Sequence, residues 1–523
     1  MPGCLTTTAF CGYPLGMDTI SGSGTHRAEP DAEALLAQLD QDLEADTSLS
    51  AAEPILALAA QYLTETRTGE GPVSTWHSAQ TIADRLEAEL PRRGRPLAAV
   101  AKRLSSLLLE DVNRLAHPMY IGHQVSAPLP AAVWTDALVS ALNQSMAVRE
   151  MSPSFTPLEH QVVAWMTDAI GWDEHAGGMM TSGGTEATFT ALLAARSRAI
   201  PNVWTHGVPT HAPVLVCGEH AHYAVTRAAG EMGLGLHRVV MIPSHEHRMS
   251  IPLLRTKLKQ LHDQHTAVMA VVATSGCTAT GSFDDLNAIA DACHEFRDAH
   301  GDLWLHVDAA HGGAAMLSST QRHRVAGIER ARSVAWDPHK TLLLPLAAGL
   351  LLMKDERELN GAFSQAAPYL FTPGEDAKAW DTGPRSFQCS RRADVLKLYV
   401  ALERYGADAL AALYDRLCRV TRVLYDLLAA RSDFTPLHEP ESNILCFAWT
   451  PPGLPDSKRD DLTELLRERY NRSGRGWITV TTLDKRRVLR IAVMNARTTE
   501  AHIAKLVDGL VAEGRSVMGH AGY

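Results

Sequence analysis

The chain has 523 residues, 46% of them hydrophobic and 21% charged, with a formal net charge of −10. That length exceeds one ordinary core and implies two domains or a large one with appendages. The acidic balance argues against a nucleic-acid binder, which would carry a basic face, and no apolar run approaches the roughly 20 residues that span a bilayer.

Eight cysteines are scattered without a C-x-x-C pair. Neither a disulfide framework nor a zinc site is expected, and a reducing, cytoplasmic setting is the simpler reading. Residues 1–30, rich in Gly, Thr and Ser, read as a disordered leader lacking the basic start and apolar core of a signal peptide. From 31 to 116 the apolar spacing is helical: Ala32, Leu35, Leu36 and Leu39, then Ile82, Leu86 and Leu90, then Leu104, Leu107 and Leu108. Strand patterns are hard to find there, so this stretch is predicted to be a helical arm.

Between 117 and 390 short apolar runs alternate with amphipathic helices. Strands are expected at Pro213–Cys217, Ala267–Ala273, Leu303–Val307, Val334–Trp336 and Gly349–Met353, and helices at Ala221–Met232 and Leu286–Phe296. The alternation predicts an α/β fold, a large mostly parallel sheet with helices on both faces. Ligands of such sheets collect at the carboxyl ends of the strands. From 391 to 523 the pattern predicts a small α+β domain. Helices are expected at Ala393–Tyr405, Asp408–Ala430, near Asp460–Tyr470 and from Glu500, with strands at Asn443–Trp449 and near Ile478–Thr482 and Val488–Val493.

Three segments carry chemistry. Thr181-Ser182-Gly183-Gly184-Thr185-Glu186 precedes a helical run, and glycines there let backbone N–H groups reach an anion at the helix N-terminus. An empty capping turn is an equal reading. In His306-Val307-Asp308-Ala309-Ala310-His311, Asp308 ends an apolar strand. It either caps a turn or meets a buried cation such as a protonated ring nitrogen. In Trp336-Asp337-Pro338-His339-Lys340, a lysine follows an apolar strand. Desolvation there would make it a nucleophile toward a carbonyl, whereas a surface turn would leave it inert.

Taken in this order and spacing, the motifs S-G-G-T, H-V-D-A-A and D-P-H-K resemble the group II pyridoxal-phosphate-dependent amino-acid decarboxylases, from about His117 to Leu510. That family includes glutamate, aromatic amino-acid, cysteine-sulfinate and diaminobutyrate decarboxylases. The resemblance implies fold type I, a homodimer and pyridoxal 5′-phosphate held by Lys340 as a Schiff base. Asp308 would face the ring nitrogen, His222 would stack on the ring, and Thr274 and Ala310 would lie beside it. Gly184, Thr185 and His339 would hold the phosphate, and Arg490 would approach the substrate carboxylate. Tyr369, in Pro368-Tyr369-Leu370-Phe371, matches a mobile-loop tyrosine that protonates the α-carbon and favours amine over aldehyde products. Asp337 departs from the Asn of several relatives, and Cys277 from the Thr of many.

His117-Pro118-Met119-Tyr120-Ile121-Gly122-His123-Gln124 corresponds to the segment lining the substrate pocket. His123 is similar to diaminobutyrate decarboxylases, which leans toward a polar or acidic L-amino acid over an aromatic one. Aldehyde synthesis or carbon–carbon lyase chemistry is the alternative within the cofactor class, and a silent scaffolding homologue the alternative outside it. His237, His245, Glu246 and His247 imitate a metal site but lack helix spacing and a fourth ligand, so an exposed connector is expected and no metal.

Overall fold

Residues 32–86, 89–298, 301–363 and 380–521 are described in the computed structural model; the leader lies outside them. The middle of the chain supplies β1 (Gly177–Thr181), β2 (Val214–Gly218), β3 (Val239–Ile242), the short pair β4 (Ser244–His245) and β5 (Arg248–Met249), β6 (Val268–Thr274), β7 (Leu305–Asp308), β8 (Ser333–Trp336) and β9 (Gly349–Met353). Seven of these form one sheet in the order β1-β9-β8-β7-β6-β2-β3. β3, β2, β6, β7 and β8 run parallel, and β9 is antiparallel to both β8 and β1.

Successive residues of these strands feed opposite faces, as the strand period of two requires. Val216, Val271, Val307, Val334 and Leu350 join one apolar layer, and Leu215, Val272, Ala335 and Leu351 join the other. Both faces are covered, so β2, β6, β7, β8 and β9 read as continuous apolar runs, which is why the sequence pattern located them, whereas the less buried edge strand β3 was not expected. β1 escaped that pattern because it begins Gly177-Gly178. The second glycine has φ +148°, and a Cβ there would overlap the Leu351 carbonyl oxygen of β9. Close strand approach, not apolar content, explains the residue.

The C-terminal part forms an antiparallel sheet of β10 (Phe434–Pro436), β11 (Ile444–Trp449), β12 (Thr479–Leu483) and β13 (Arg486–Ala492), ordered β10-β11-β13-β12. Its apolar face packs with residues from the helices Ala407–Ala429, Arg459–Arg472 and Glu500–Ala521. Residues 119–122 run along this sheet. Ile121 N–H donates to Trp477 O at 3.0 Å, and Ala492 N–H donates to Ile121 O at 2.8 Å. A few residues on, Ser126 Oγ donates to His339 O at 3.0 Å and Leu129 N–H to Leu343 O at 2.8 Å. One strand-like segment thereby ties the small sheet to the turn bearing Lys340.

The N-terminal arm is helical in α1 (Ala32–Asp46) and α2 (Leu49–Arg67), but the expected helix through Ile82, Leu86 and Leu90 is corrected to the five residues Ala79–Ala83. Leu86 and Leu90 are 50% and 70% exposed, so nothing rewards a longer amphipathic face, and Pro91 and Pro96 restrict the chain beyond. Likewise Leu104 ends a helix from Leu97 and is followed by one π turn, Ser105–Leu109. No helix among the described residues is long and apolar enough to cross a membrane.

Candidate active site

The first site element is the glycine turn after β1. Glu186, in the first turn of α3 (Gly184–Ala199), accepts hydrogen bonds from Ser182 N–H at 2.8 Å and Ser182 Oγ at 2.6 Å. These two bonds to one carboxylate oxygen fix the turn, and the first amides of the helix have no helical acceptors. The turn is tightly enclosed: a Cβ on Gly184 would sit 2.8 Å from Ala310 Cβ, and one on Gly183 would sit 3.2 Å from His339 Cε1.

The parallel strands deliver the rest from their carboxyl ends. Thr274 ends β6, Asp308 ends β7, and the short helix Pro338–Thr341 after β8 carries Lys340. All line one cavity of about 320 Å³ with Gly184, Thr185, His222, Ala310, Asp337 and His339. The fold thus brings together eight residues proposed from sequence, with Asp337, noted there only as a departure from the family pattern, beside Lys340. Lys340 Nζ is 3.0 Å from Asp337 Oδ2. Asp308 is buried, and its Oδ1 accepts from Ala310 N–H at 3.1 Å.

Burial holds the surrounding imidazoles neutral. Desolvation lowers the pKa of His222 most strongly; Asp308 opposes the shift and Lys340 adds to it. His339 is lowered for the same first reason, and its Nδ1 accepts from Ala348 N–H at 3.1 Å, leaving Nε2 as the donor. His311, quoted in the sequence motif without a role, is wholly buried against Asn443 Oδ1 at 2.8 Å and pushed down to about 3.

Asp284 was not legible from sequence. Its buried carboxylate accepts from Thr274 N–H at 2.8 Å and Met249 N–H at 2.7 Å, and burial pushes it up to about 6. It pins the end of β6, and nothing in Gly281-Ser282-Phe283-Asp284 sets it apart from a turn residue.

A second cavity of about 550 Å³ adjoins the first, sharing His222 and Thr278. His123, Gln124, Arg467, Trp477 and Arg490 line it, and its described lining includes two arginines and no carboxylate. Arg490 is buried, with Nε donating to Ala279 O at 3.0 Å and the two terminal nitrogens to Gly122 O at 3.2 Å and Thr278 O at 2.6 Å. Three of its donors therefore brace the cavity wall, a task the sequence did not suggest. His123 is exposed at the rim, its ring 6.4 Å from that of Trp477. Gln124 Nε2, Arg467 Nε and Trp477 Nε1 are buried donors without an acceptor among the described residues, although the Arg467 guanidinium pairs with Glu464 through a terminal nitrogen. Arg467 and Trp477 were missed because only the tertiary fold brings them to the pocket segment.

Tyr369 lies outside the described residues. The imagined metal ligands do not converge on a site: His245 and Arg248 flank a two-residue turn in which Glu246 and His247 have φ of 49° and 64°, and His237 belongs to a separate turn, Leu236–Arg238. Among the described residues no group of three or more His, Cys, Asp or Glu could hold a metal ion.

A lysine beside a buried carboxylate, an acidic strand end and a glycine turn at a helix N-terminus fit a phosphorylated, ring-bearing aldehyde. The model of the pyridoxal-dependent decarboxylase conserved domain matches residues 80–450, and the chain belongs to that family of pyridoxal-phosphate-dependent amino-acid decarboxylases. Cysteine sulfinic acid decarboxylase of Rattus norvegicus is 32% identical over 414 residues, 77% of this chain and 83% of that one. The crystal structure of the mouse enzyme superposes with a TM-score of 0.81 at 28% identity, covering 92% of this chain and 99% of that one. The glutamate decarboxylase domain of a Vibrio parahaemolyticus diaminobutyrate-pyruvate transaminase and L-2,4-diaminobutyrate decarboxylase superposes at 0.77 with 27% identity, covering 90% and 97%.

Proposed function

We propose that this decarboxylase acts on an L-amino acid with an acidic side chain, a carboxylate or a sulfinate, and releases carbon dioxide and the amine. The observation that carries the reading is the outer cavity: Arg490, buried and braced on carbonyl oxygens, lines it with Arg467, which pairs with Glu464 outside the lining, and no carboxylate stands in the described lining beside them. A side-chain anion completes such a cavity, whereas the ammonium of diaminobutyrate meets like charge and an aromatic ring leaves the charge of Arg490 without an anion. The name of the rat relative, cysteine sulfinic acid decarboxylase, supports the same class.

Bound pyridoxal phosphate supplies an electron sink for the pair left on the α-carbon as carbon dioxide departs. The chain's residues do the rest. Gly184, Thr185 and His339 hold the phosphate, and Lys340 anchors the cofactor covalently. Asp308 would hold a proton on the ring nitrogen, with Ala310 and Thr274, which line the same cavity, beside the ring. His222, shared by both cavities and with its pKa lowered by burial, would pack over that ring. Tyr369 delivers the proton to the α-carbon, which makes the amine and not the aldehyde the product.

Glutamate, aspartate, cysteine sulfinate, diaminobutyrate, tyrosine and tryptophan, scored for carbon dioxide and amine, test the reading. The acidic substrates are expected to lead in kcat/KM by roughly a hundredfold. A lead for diaminobutyrate or an aromatic substrate overturns it. The enzyme works as a cytoplasmic homodimer: Leu35, Leu36, Leu39 and Leu43 form a half-exposed stripe on α1, a helix with no buried residue, and such a stripe needs a covering partner. Light scattering should give twice the 56.8 kDa of one chain.

A further inference from the structure

Two buried carboxylates line the inner cavity, and the proposed chemistry uses only Asp308. Asp337 follows β8 and is 2% exposed. Its Oδ2 lies 3.0 Å from Lys340 Nζ and 3.5 Å from His339 Nε2. Its Oδ1 is buried with no hydrogen-bond partner among the described residues, a costly state for an ionised oxygen. The carboxylate also abuts the glycine turn: a Cβ on Gly184 would be 3.1 Å from Oδ2, and one on Gly183 would be 3.9 Å from Oδ1. An anion therefore already stands at the N-terminus of α3, where the phosphate is placed above, and it neutralises the lysine that the cofactor must reach. The positive end of one helix and one ammonium favour a single anion there, and a second one crowds the first.

We propose that Asp337 is an internal anion of the phosphate cradle, holding Lys340 in the cofactor-free chain and competing with the incoming phosphate for the same positive surroundings. An asparagine of the same shape keeps the backbone contacts, in which Asp337 N–H donates to Ala310 O at 3.2 Å and Asp337 O accepts from Lys340 N–H at 2.9 Å. It removes only the charge. Both consequences act in one direction: the repulsion disappears and the Lys340 ammonium is unmasked, so a phosphate binds more tightly.

The test titrates cofactor-free protein calorimetrically with inorganic phosphate, with pyridoxine 5′-phosphate, which has no carbonyl for Lys340, and with pyridoxine. Asp337→Asn is expected to bind both phosphates about tenfold tighter than the wild type and pyridoxine equally well, whereas Asp337→Glu gains nothing. Unchanged or weaker phosphate binding, in a variant that unfolds like the wild type, overturns the proposal, as does an equal gain for pyridoxine. Should the asparagine variant not fold, Asp337→Ser carries the same expectation. Because the proposal rests on the phosphate position, Thr185→Ala is measured alongside. Its weakening of both phosphates checks that placement separately from the role of Asp337.

Discussion

The two adjoining cavities share His222 and Thr278 yet handle charge in opposite ways. In the inner one the described charges are Lys340, Asp308 and Asp337, with Lys340 and Asp337 paired at 3.0 Å, and burial keeps His222, His311 and His339 from adding positive charge. In the outer one the guanidinium of Arg490 rests on three carbonyl oxygens, and no carboxylate joins it in the lining. Backbone carbonyls orient a cation without cancelling it, so the outer cavity keeps a positive field for a ligand to neutralise. On the proposed reading the inner cavity holds the cofactor, and the outer one chooses what reaches it.

The largest effect tests the inner half of that contrast. Asp308→Ala is expected to lower kcat/KM by a factor of about 10³ or more, because the ring loses the carboxylate that keeps it a strong electron acceptor. Borohydride reduction and peptide mapping should still find the cofactor on Lys340, separating lost chemistry from lost binding. Asp308→Asn activity within tenfold of wild type would mean that the acidic strand end only caps its turn.

Legibility in the sequence followed the same division. The inner cavity is built from strand ends and the turns after them, where a short apolar run announces the strand and the next few residues announce the site. Asp308 and Lys340 stood out as candidates for that reason, while Thr274 was placed by the family resemblance. The outer cavity is assembled from segments far apart in the chain: residues 123 and 124, Arg467 within a polar helix, and Trp477 and Arg490 at the small sheet. No local period marks a helix arginine that faces a pocket, so Arg467 looked like any solvated charge. Arg490 was placed by its motif, but its backbone acceptors belong to loops at Gly122 and at 278–279 that only the fold brings near. Tyr369 carried weight through its resemblance alone and lies outside the described residues.

The outer half is tested by Arg490→Met, which removes the charge and keeps much of the length. With the preferred acidic substrate kcat/KM should fall roughly a hundredfold, as expected when a charged partner is lost from a buried site. With tryptophan the loss should be smaller, since no side-chain anion is involved. Equal losses on both substrates would mean that Arg490 acts only as a brace for the wall, and selection would pass to Arg467.

The smallest effect sharpens the contrast through stability, because the neutral histidines of the interior have a measurable cost in acid. His306 and His311 are wholly buried and pushed down by desolvation to about 4 and about 3, and His438 to about 4. An imidazole in the unfolded chain titrates near 6.5, so between about pH 6.5 and 4 the unfolded state binds more protons than the folded one. The stability these residues permit is complete above that window and is lost as pH falls through it, at about 1.4 kcal/mol per pH unit for each. Asp284 works in the other direction. Its folded carboxyl, pushed up to about 6, takes a proton before the unfolded one does, and so offsets about one histidine. Three against one leaves a net loss of about 2–3 kcal/mol per pH unit near pH 5. Urea midpoints at pH 6.5, 5.5 and 4.5 should fall accordingly, and His306→Gln, which removes a ring that contacts Ser333 and Thr188 away from both cavities, should flatten the slope by about one half. A midpoint that does not move over this range would mean that the interior histidines are charged in the folded state, and the neutrality assigned to the inner cavity would fall with them.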